Sequence, residues 1–567
     1  MTSDRLRETQ KSSFEQEKSN VGRNIFNRFS RLAEFCGVEQ IPYKLLFVSS
    51  YGAFGALLPY LPLYFKQIGL SAMETGVLIG LRPLLQAIGA PMFGFLADKY
   101  KRRRLILFMG AVAWIVKALL ILAVRPRNQE CVAIDAGNVN STLSTISELG
   151  TIAKIILTNT KSNFSASSRR TIIQQRDTLP RQSKADIRSQ RTEQTHDEAA
   201  AEKTPVHLTP RNAHRTQNAS GHNATVEYEI KIDQREMSTI FGILLAVIIV
   251  SDLFGSVVHP ISDGCVLDYL GDDRNMYGRV RLFGSAGIAF ASFVVGLIIN
   301  ESIGYFCGQI LKNYAIAFYF AVGLTVITLL ALLCIKIVYR TADSAGHQTS
   351  NQELKTLFAS LPKMAFWFVS VCLGTLDGFQ MDFTSWFLDD LGASSFVIGL
   401  ATGLHFLCNM LTFLVANYAL EMLGYVRLIS LSLVMYAVIF VCFSFAHSPW
   451  LGMVLYILLG TCFALSWTAC VAYVASIASA VGLGATAQGI LSGLYVGLGY
   501  GGGTMLGGLL ISFTSIRTTW QLYSALAIVS LILYNVVLRL GNNTGDANEP
   551  EIMYKAVPFT EEDKEKN

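Results

Sequence analysis

Long apolar runs separated by shorter polar segments dominate the pattern of this sequence. Each run holds about 20 residues or more, which is enough to cross roughly 30 Å of hydrocarbon as a helix. Twelve such runs are present, six before a central polar connector and six after it. The runs cover 41–65, 73–97, 105–124, 238–261, 282–300, 315–338, 364–388, 396–420, 428–445, 451–474, 486–512 and 522–540.

Six runs followed by six more predict an all-α membrane protein with twelve transmembrane helices in two six-helix bundles. Paired sets of this kind are typical of halves related by internal repetition. Charged residues make up 15% of the chain, whereas soluble domains carry about 25%. The predicted divisions are a tail at 1–40, an N-terminal bundle at 41–338, a linker at 339–363, a C-terminal bundle at 364–540 and a tail at 541–567.

Lysine and arginine gather at one set of run ends. They form the cluster at 99–104 after the second run, and Arg279 and Arg281 begin the fifth. Positive residues of this kind mark the cytoplasmic side, and no secretory signal precedes the first run. Both tails are therefore predicted to be cytoplasmic, while the choice between the plasma membrane and an internal membrane stays open. The net charge of +5 follows this topology and does not indicate nucleic-acid binding.

The segment 125–237 interrupts the first bundle as a long polar loop. The parity of the crossings places it outside the cell or in a lumen, where N-glycosylation occurs. It lacks the apolar content of a core, so we expect it to be disordered. Cys131 and Cys307 lie outside the runs on this oxidising side, and paired and free states are both open. Four clustered glycosylation sequons support the placement, at Asn140, Asn163, Asn218 and Asn223.

The sharpest local signal follows the second run, at residues 94–104. It resembles the signature G-x-L-A-D-R-x-G-R-K/R of the major facilitator superfamily, and a degenerate echo lies at 417–427. The resemblance implies a charged network that latches the bundles in an outward-facing conformation. Lys101 stands at the family's second glycine, which predicts a less tight turn. The matching residues are Gly94, Leu96, Ala97, Asp98, Lys99, Arg102 and Arg103.

Three further stretches, 81–84, 277–285 and 487–495, narrow this resemblance. They are similar to the group that contains major facilitator superfamily domain-containing protein 6 and its invertebrate relatives. That group is distantly related to sugar- and nucleoside-proton symporters, and some members have been proposed as cell-surface receptors. The resemblance implies that helices one, four, seven and ten line a central cavity.

Glycines recur every four residues in the eleventh run, at Gly489, Gly493, Gly497 and Gly501. On a helix they form one face that lets a neighbouring backbone approach closely. Static packing and a rocking interface between the bundles are both consistent with this pattern.

Ionisable residues inside apolar runs are the best pointers to a transport pathway, because burying charge in a membrane is costly. We expect Arg82 to pair with Asp252 or Asp377, and one of these carboxylates to take up a proton or a cation. A structural ion pair is the alternative. His405 is expected to be a hydrogen-bonding residue between helices or a member of the same site. Lys117 and Asp382 are further intramembrane candidates.

These patterns favour a secondary active transporter of a small polar solute, driven by alternating access and coupled to a proton or cation. A receptor that uses the long outer loop is the alternative. No nucleotide-binding P-loop and no zinc-binding cysteine pair is present in the sequence, so we expect neither an enzyme nor a cofactor. The expected partners are the solute and the lipid bilayer.

Overall fold

The computed structural model describes residues 40–126, 129–134, 227–271, 277–307, 309–335, 337, 355–479 and 484–543. By its contacts the chain divides into two units, Met1–Glu130 with Ile230–Asn567 and Cys131–Glu229. The four sequon asparagines and most of both tails lie outside the described residues.

The six runs of the first half fold as helices, and two of these crossings consist of two helices in succession. Pro62 lies in the first turn of α2, where its missing N–H costs nothing. A capping box between Ser71 and Glu74 starts α3. The helices are α1 Ile41–Leu57, α2 Leu61–Gln67, α3 Ala72–Lys99, α4 Arg103–Ala123, α5 Gln234–Gly255, α6 Val258–Leu270, α7 Tyr277–Glu301 and α8 Ala315–Cys334.

The second half is also helical, but its glycine-rich segment at 484–513 changes geometry along its length. It begins as α-helix, continues as a π-helix and ends as α-helix. A π-helix rotates side chains away from the four-residue spacing of an α-helix, and such segments are frequent at functional sites. The elements are α9 Leu361–Asp390, α10 Ser395–Ser444, α11 Pro449–Ser479, α12 Gly484–Ser492, the π-helix Gly493–Gly501, α13 Gly502–Phe513 and α14 Ile516–Asn543.

Eleven helical segments of the described chain are long and apolar enough to cross a membrane. One of them, α10, has 50 residues, and at 1.5 Å per residue it far exceeds a bilayer core of about 30 Å. Gly424 interrupts it with φ 74° and ψ 169°, a conformation that glycine adopts without a Cβ clash. This break divides α10 into two crossings, so the helices fit the twelve predicted runs.

Short strands flank the helices. β1 (Gln129–Ile134) and β2 (Glu227–Ile232) pair at the two ends of the long loop, so the prediction that all of 125–237 lacks structure is wrong there. Both stretches contain β-branched residues, and β2 also contains Tyr228; residues of these types favour strands. β3 (Ile303–Phe306) and β4 (Gln309–Lys312) form an antiparallel hairpin between α7 and α8. Cys131 and Cys307 are each disulfide-bonded.

The fourth crossing extends further than its apolar run. The run ends at residue 261, but α6 continues to Leu270. Carboxylates on this extension bond to cations of neighbouring helices: Asp263 lies 4.0 Å from Arg281, and Asp268 bonds to Arg103. Hydropathy does not detect this part of the helix because its side chains are charged.

The two halves approach each other most closely near one end of the helices. We call it the hairpin end, after β3 and β4, and the opposite end, at residues 98–104, the signature end. A β-carbon built on Gly80 of α3 would lie 2.6 Å from the Gly501 carbonyl oxygen. One built on Gly296 of α7 would lie 3.2 Å from the Gly399 Cα of α10. Only glycine permits these contacts between backbones.

The four glycines of the predicted face therefore lie in two different environments. Gly497 and Gly501 face α3, whereas Gly489 and Gly493 have no atom of another element within 4 Å of the β-carbon position. Gly94 on α3 is equally open. Toward the hairpin end, α3 thus packs closely on the π-helix and α13. Toward the signature end of the described chain, it has no comparable packing against α12, and we call the halves separated there.

Substituting glycines from the two environments tests this difference. In Gly501→Ala the new methyl group would meet the Gly80 carbonyl oxygen at 2.5 Å, which we expect to destabilise the conformation by about 1–3 kcal/mol. Gly493→Ala fills open space and gains up to about 1 kcal/mol of helix propensity. Apparent melting temperatures of the purified variants should fall only for Gly501→Ala. An equal fall in both would contradict the two environments.

Candidate functional site

Two of the signature residues, Asp98 and Arg103, belong to an ionic network inside the N-terminal bundle. Arg103, at the start of α4, lies 2.7 Å from Asp98 at the end of α3 and also bonds to Asp268 of α6. The network therefore joins three helices of one bundle. Asp98 and Asp268, to which Arg103 bonds, both belong to the N-terminal bundle, and the predicted latch between the bundles stays a prediction.

The turn of the signature is tight despite its substituted glycine. Lys101 has φ 51°, in the left-handed region that glycine normally occupies. The expectation of a looser turn is therefore wrong: the lysine adopts the glycine conformation. The turn is fixed by backbone bonds from Lys101 N to the Asp98 oxygen and from Arg102 N to the Ala97 oxygen, at 3.2 and 3.0 Å.

A cluster of four charges joins the two bundles at the hairpin end. Lys66 of α2 lies 2.7 Å from Asp389 and 2.6 Å from Asp390, at the end of α9. Lys312 of β4 lies 2.8 Å from the other oxygen of Asp389. Lys66 also lies 5.3 Å from the Trp386 ring centroid, within cation–π range. We call Lys66, Lys312, Asp389 and Asp390 the hairpin-end latch.

Neutral hydrogen bonds support the latch. The Met73 amide at the start of α3 donates to the Ser512 hydroxyl of α13 at 3.0 Å. The Tyr60 hydroxyl donates to the Ser292 carbonyl of its own bundle at 2.8 Å and lies 3.4 Å from the Ser395 carbonyl of the other. The hairpin end is thus closed by ion pairs, by hydrogen bonds to backbone groups and by the glycine contacts between the two bundles.

A cavity lies within the N-terminal bundle. Asp252 of α5 accepts a hydrogen bond from Lys117 of α4 and lies 3.9 Å from the Arg82 Nε of α3. The predicted pair of Arg82 and Asp252 is therefore present, with Lys117 as a closer partner. The Asp252 side chain is 8% exposed and the Arg82 side chain 24%.

Apolar and aromatic side chains form most of the wall around these charges. The Arg82 guanidinium lies 5.3 Å from the Phe54 ring centroid. An apolar wall with a few convergent polar groups is typical of small-molecule sites. The other apolar residues of the wall include Leu57, Leu61, Trp114, Ile121, Ile248 and Phe318.

Asp377 occupies a separate place, inside the C-terminal bundle. It is fully buried and accepts hydrogen bonds from the Tyr436 hydroxyl of α10 and the Tyr495 hydroxyl of the π-helix. It is not among the residues that line the Arg82 cavity. The alternative pairing of Arg82 with Asp377, and the expectation that Asp252 and Asp377 share one cavity, are therefore not supported by this geometry.

Asp382 is a further buried carboxylate of the second bundle. One of its oxygens accepts from Thr504 at 2.7 Å and the other from Tyr500 at 3.3 Å. The π-helix and the start of α13 thus supply hydroxyl donors for both Asp377 and Asp382. The backbones fit because Gly374 and Gly378 of α9 lie against the glycine-rich segment.

His405 connects α10 to α11. It is fully buried, with its Nδ1 2.8 Å from the Tyr456 carbonyl oxygen and its ring stacked on Tyr456 at 4.4 Å. This arrangement matches the expectation of a histidine that bonds between helices. It does not bring His405 to the Arg82 cavity.

The MFS_1-like family profile matches residues 41–522. The chain belongs to this family. Major facilitator superfamily domain-containing protein 6-like protein B of Xenopus laevis is 21% identical over 547 residues, which cover 85% of this chain and 88% of that relative. The resemblance to the protein 6 group is thereby confirmed.

Solved structures of the superfamily share the fold. The nucleoside transporter NupG aligns with a TM-score of 0.55 at 14% identity, covering 88% of this chain and 99% of the other. A D-xylose-proton symporter aligns with a TM-score of 0.52 at 12% identity, covering 88% and 97%. At these identities the likeness shows the major facilitator fold, and the chain is a multi-pass membrane protein.

Two features of the site were not predicted from the sequence, namely the partner of Lys117 and the hairpin-end latch. Lys117 was ambiguous because hydropathy gives the depth of a residue but not the direction its side chain faces. Asp389 and Asp390 are not among the residues that the sequence singles out, because their partners Lys66 and Lys312 lie far away along the chain. The adjacent acidic pair at the end of an apolar run, opposite the isolated Lys66, was the available signal.

The latch can be tested with a buried reporter. Ser395→Cys places a thiol at a residue that is 1% exposed beside the latch. We expect Lys66→Gln with Lys312→Gln to raise its labelling by a membrane-impermeant maleimide at least about threefold, since partly exposed ion pairs contribute up to about 1 kcal/mol each. Arg517→Gln is the control, because the described contacts of the Arg517 guanidinium are with Ser444, His447 and Phe387, outside the latch.

If labelling of the reporter is the same in the double variant and in the Arg517 control, the latch does not hold the hairpin end closed.

The buried pair gives a second prediction. Lys117→Met leaves the Asp252 carboxylate without its closest cation, which we expect to cost about 3–5 kcal/mol. Adding Asp252→Asn removes the unpaired charge and should restore part of this loss. Apparent melting temperatures of the purified single and double variants measure both effects. A double variant that is less stable than Lys117→Met would exclude a coupled pair.

Proposed function

We propose that the chain is a secondary active transporter that moves a small polar solute by alternating access. The signature end is cytoplasmic in this proposal, since it carries the cluster at 99–104. The described conformation is then the one that is closed outside and open toward the cytoplasm. The asymmetry between the closed hairpin end and the separated signature end is the observation that carries the proposal.

Family membership and fold support this function. The nucleoside transporter and the D-xylose-proton symporter that share the fold are both named for small polar solutes. Buried ionisable groups in both bundles support it further, because such groups are expensive in a membrane and mark transport pathways. The receptor alternative has no supporting contact among the described residues, and we do not pursue it.

Asp377 is the residue that we propose for proton coupling. It is fully buried, and the hydroxyls that bond to its carboxylate, those of Tyr436 and Tyr495, are neutral. A carboxylate without a cation beside it can gain and lose a proton as its surroundings change during the transport cycle. The proton symporter among the structures with this fold supports proton as the coupling ion.

Metabolite profiling of proteoliposome uptake tests the function itself. Vesicles with the chain are incubated with a cell extract, and their contents are compared with those of vesicles without protein. The proposal expects at least one solute to accumulate, and more strongly under an inward proton gradient. No accumulation of any solute under any gradient would contradict transport.

The pH dependence of uptake tests Asp377. Asp377→Asn keeps the shape of the side chain but cannot carry the proton, so uptake should lose its acceleration by external acid. Glu301→Gln, at the end of α7 and exposed, is the matched control and should keep the wild-type profile. An unchanged pH profile in Asp377→Asn would remove Asp377 from the coupling role.

A further inference from the structure

The charges that line the cavity of the N-terminal bundle do not balance. Among the lining residues, Arg82 and Lys117 are cations and Asp252 is the only carboxylate. Lys117 donates a hydrogen bond to the Asp252 Oδ1 and is therefore paired with this carboxylate. Asp382 of the other bundle is bonded to the hydroxyls of Tyr500 and Thr504. Lys117 thus has a carboxylate at hydrogen-bond distance, whereas the Arg82 Nε lies 3.9 Å from its nearest described carboxylate oxygen.

Two atoms at the charged end of the cavity lack hydrogen bonds. Within the described chain, neither Arg82 Nε nor Asp252 Oδ2 has a hydrogen-bond partner, although both are buried. The two atoms are 3.9 Å apart, beyond hydrogen-bond length. Buried polar groups without partners are costly. The Arg82 side chain lines the cavity and is 24% exposed, so its guanidinium can reach an acceptor on a ligand there.

The composition of the wall selects among ligand classes. A cationic solute would meet repulsion from both Arg82 and Lys117. A sugar would need several polar partners, but Thr325 carries the only hydroxyl among the lining residues, and its proton is donated to the Ala321 carbonyl at 2.8 Å. A carboxylate matches the planar fork of a guanidinium. Phe54 and Trp114 favour an apolar body behind it.

We propose that this cavity binds a small organic anion with an apolar body, whose carboxylate contacts the Arg82 guanidinium. The inference rests on the proposed transport function: if the chain is a transporter, organic anions of this class are the solutes that it moves. Binding, however, can be measured in the absence of any gradient.

Equilibrium binding to the full chain in lipid nanodiscs tests the class of ligand. The probes are phenylacetate, its neutral isostere phenylacetamide and the cation phenethylammonium. We expect saturable binding of phenylacetate, at least about tenfold tighter than that of either other probe, because hydrogen bonds to a charged group are worth about 1.5–3 kcal/mol. Equal or tighter binding of phenylacetamide or phenethylammonium would overturn the proposal, as would no saturation by any probe.

Variants assign the binding to Arg82. Arg82→Gln should weaken phenylacetate binding at least about tenfold, and Arg82→Lys, which keeps the charge but not the fork, should give an intermediate affinity. Arg517→Gln, a distant cation at the hairpin end, should leave the affinity unchanged. Wild-type affinity in both Arg82 variants would refute the assignment. Binding that is present while proteoliposomes accumulate no solute would instead contradict only the transport function.

Discussion

Close contact between glycine backbones of opposite bundles is the constraint on which the rest of this structure depends. Lipid supplies no hydrophobic force that drives helices together, so association relies on packing and hydrogen bonds. Gly80 with Gly501 and Gly296 with Gly399 provide that packing near the hairpin end. Because the helices touch there, Lys66 can reach Asp389 and Asp390 across the boundary between bundles.

The buried polar groups lie in two separate sites, one in each bundle. Arg82, Lys117 and Asp252 remain within the first bundle, and Asp377 lies within the second. The π-helix contributes both to the Asp377 site and to the interface between the bundles. Its Tyr495 bonds to Asp377, and its Gly497 packs against α3. A change in the bonds of Asp377 would thus act on an element that also forms the bundle interface.

Much of the fold could be predicted from the sequence, because helix length and hydropathy are local properties. The apolar runs and the Gly-x-Leu-Ala-Asp core of the signature located the crossings and the family. The break at Gly424 was not predicted as a helix interruption, since runs eight and nine were expected to be separated by an ordinary polar loop. The charged extension in α6 was missed because its carboxylates are stabilised by residues distant in sequence.

The site was less predictable because it depends on how helices are rotated about their axes. The sequence left Asp252 and Asp377 as two possible partners of Arg82, and Asp252 is the one that lies beside it. Depth alone could not distinguish Asp377, whose tyrosine partners come from α10 and the π-helix. At Lys101 the residue type was misleading. A lysine predicted a looser turn, but its backbone has φ 51°, in the left-handed region that glycine normally occupies.

Spin-label distances between α3 and the glycine-rich segment test the central asymmetry most directly. One pair of labels, at Met73 and Phe513, reports on the hairpin end, and another, at Phe95 and Thr486, on the signature end. We expect a short, narrow distribution at the hairpin end and a longer one at the signature end, with opposite changes when the transport cycle is driven. Equally short distances at both ends, or two distances that lengthen together, would contradict alternating closure of the bundles.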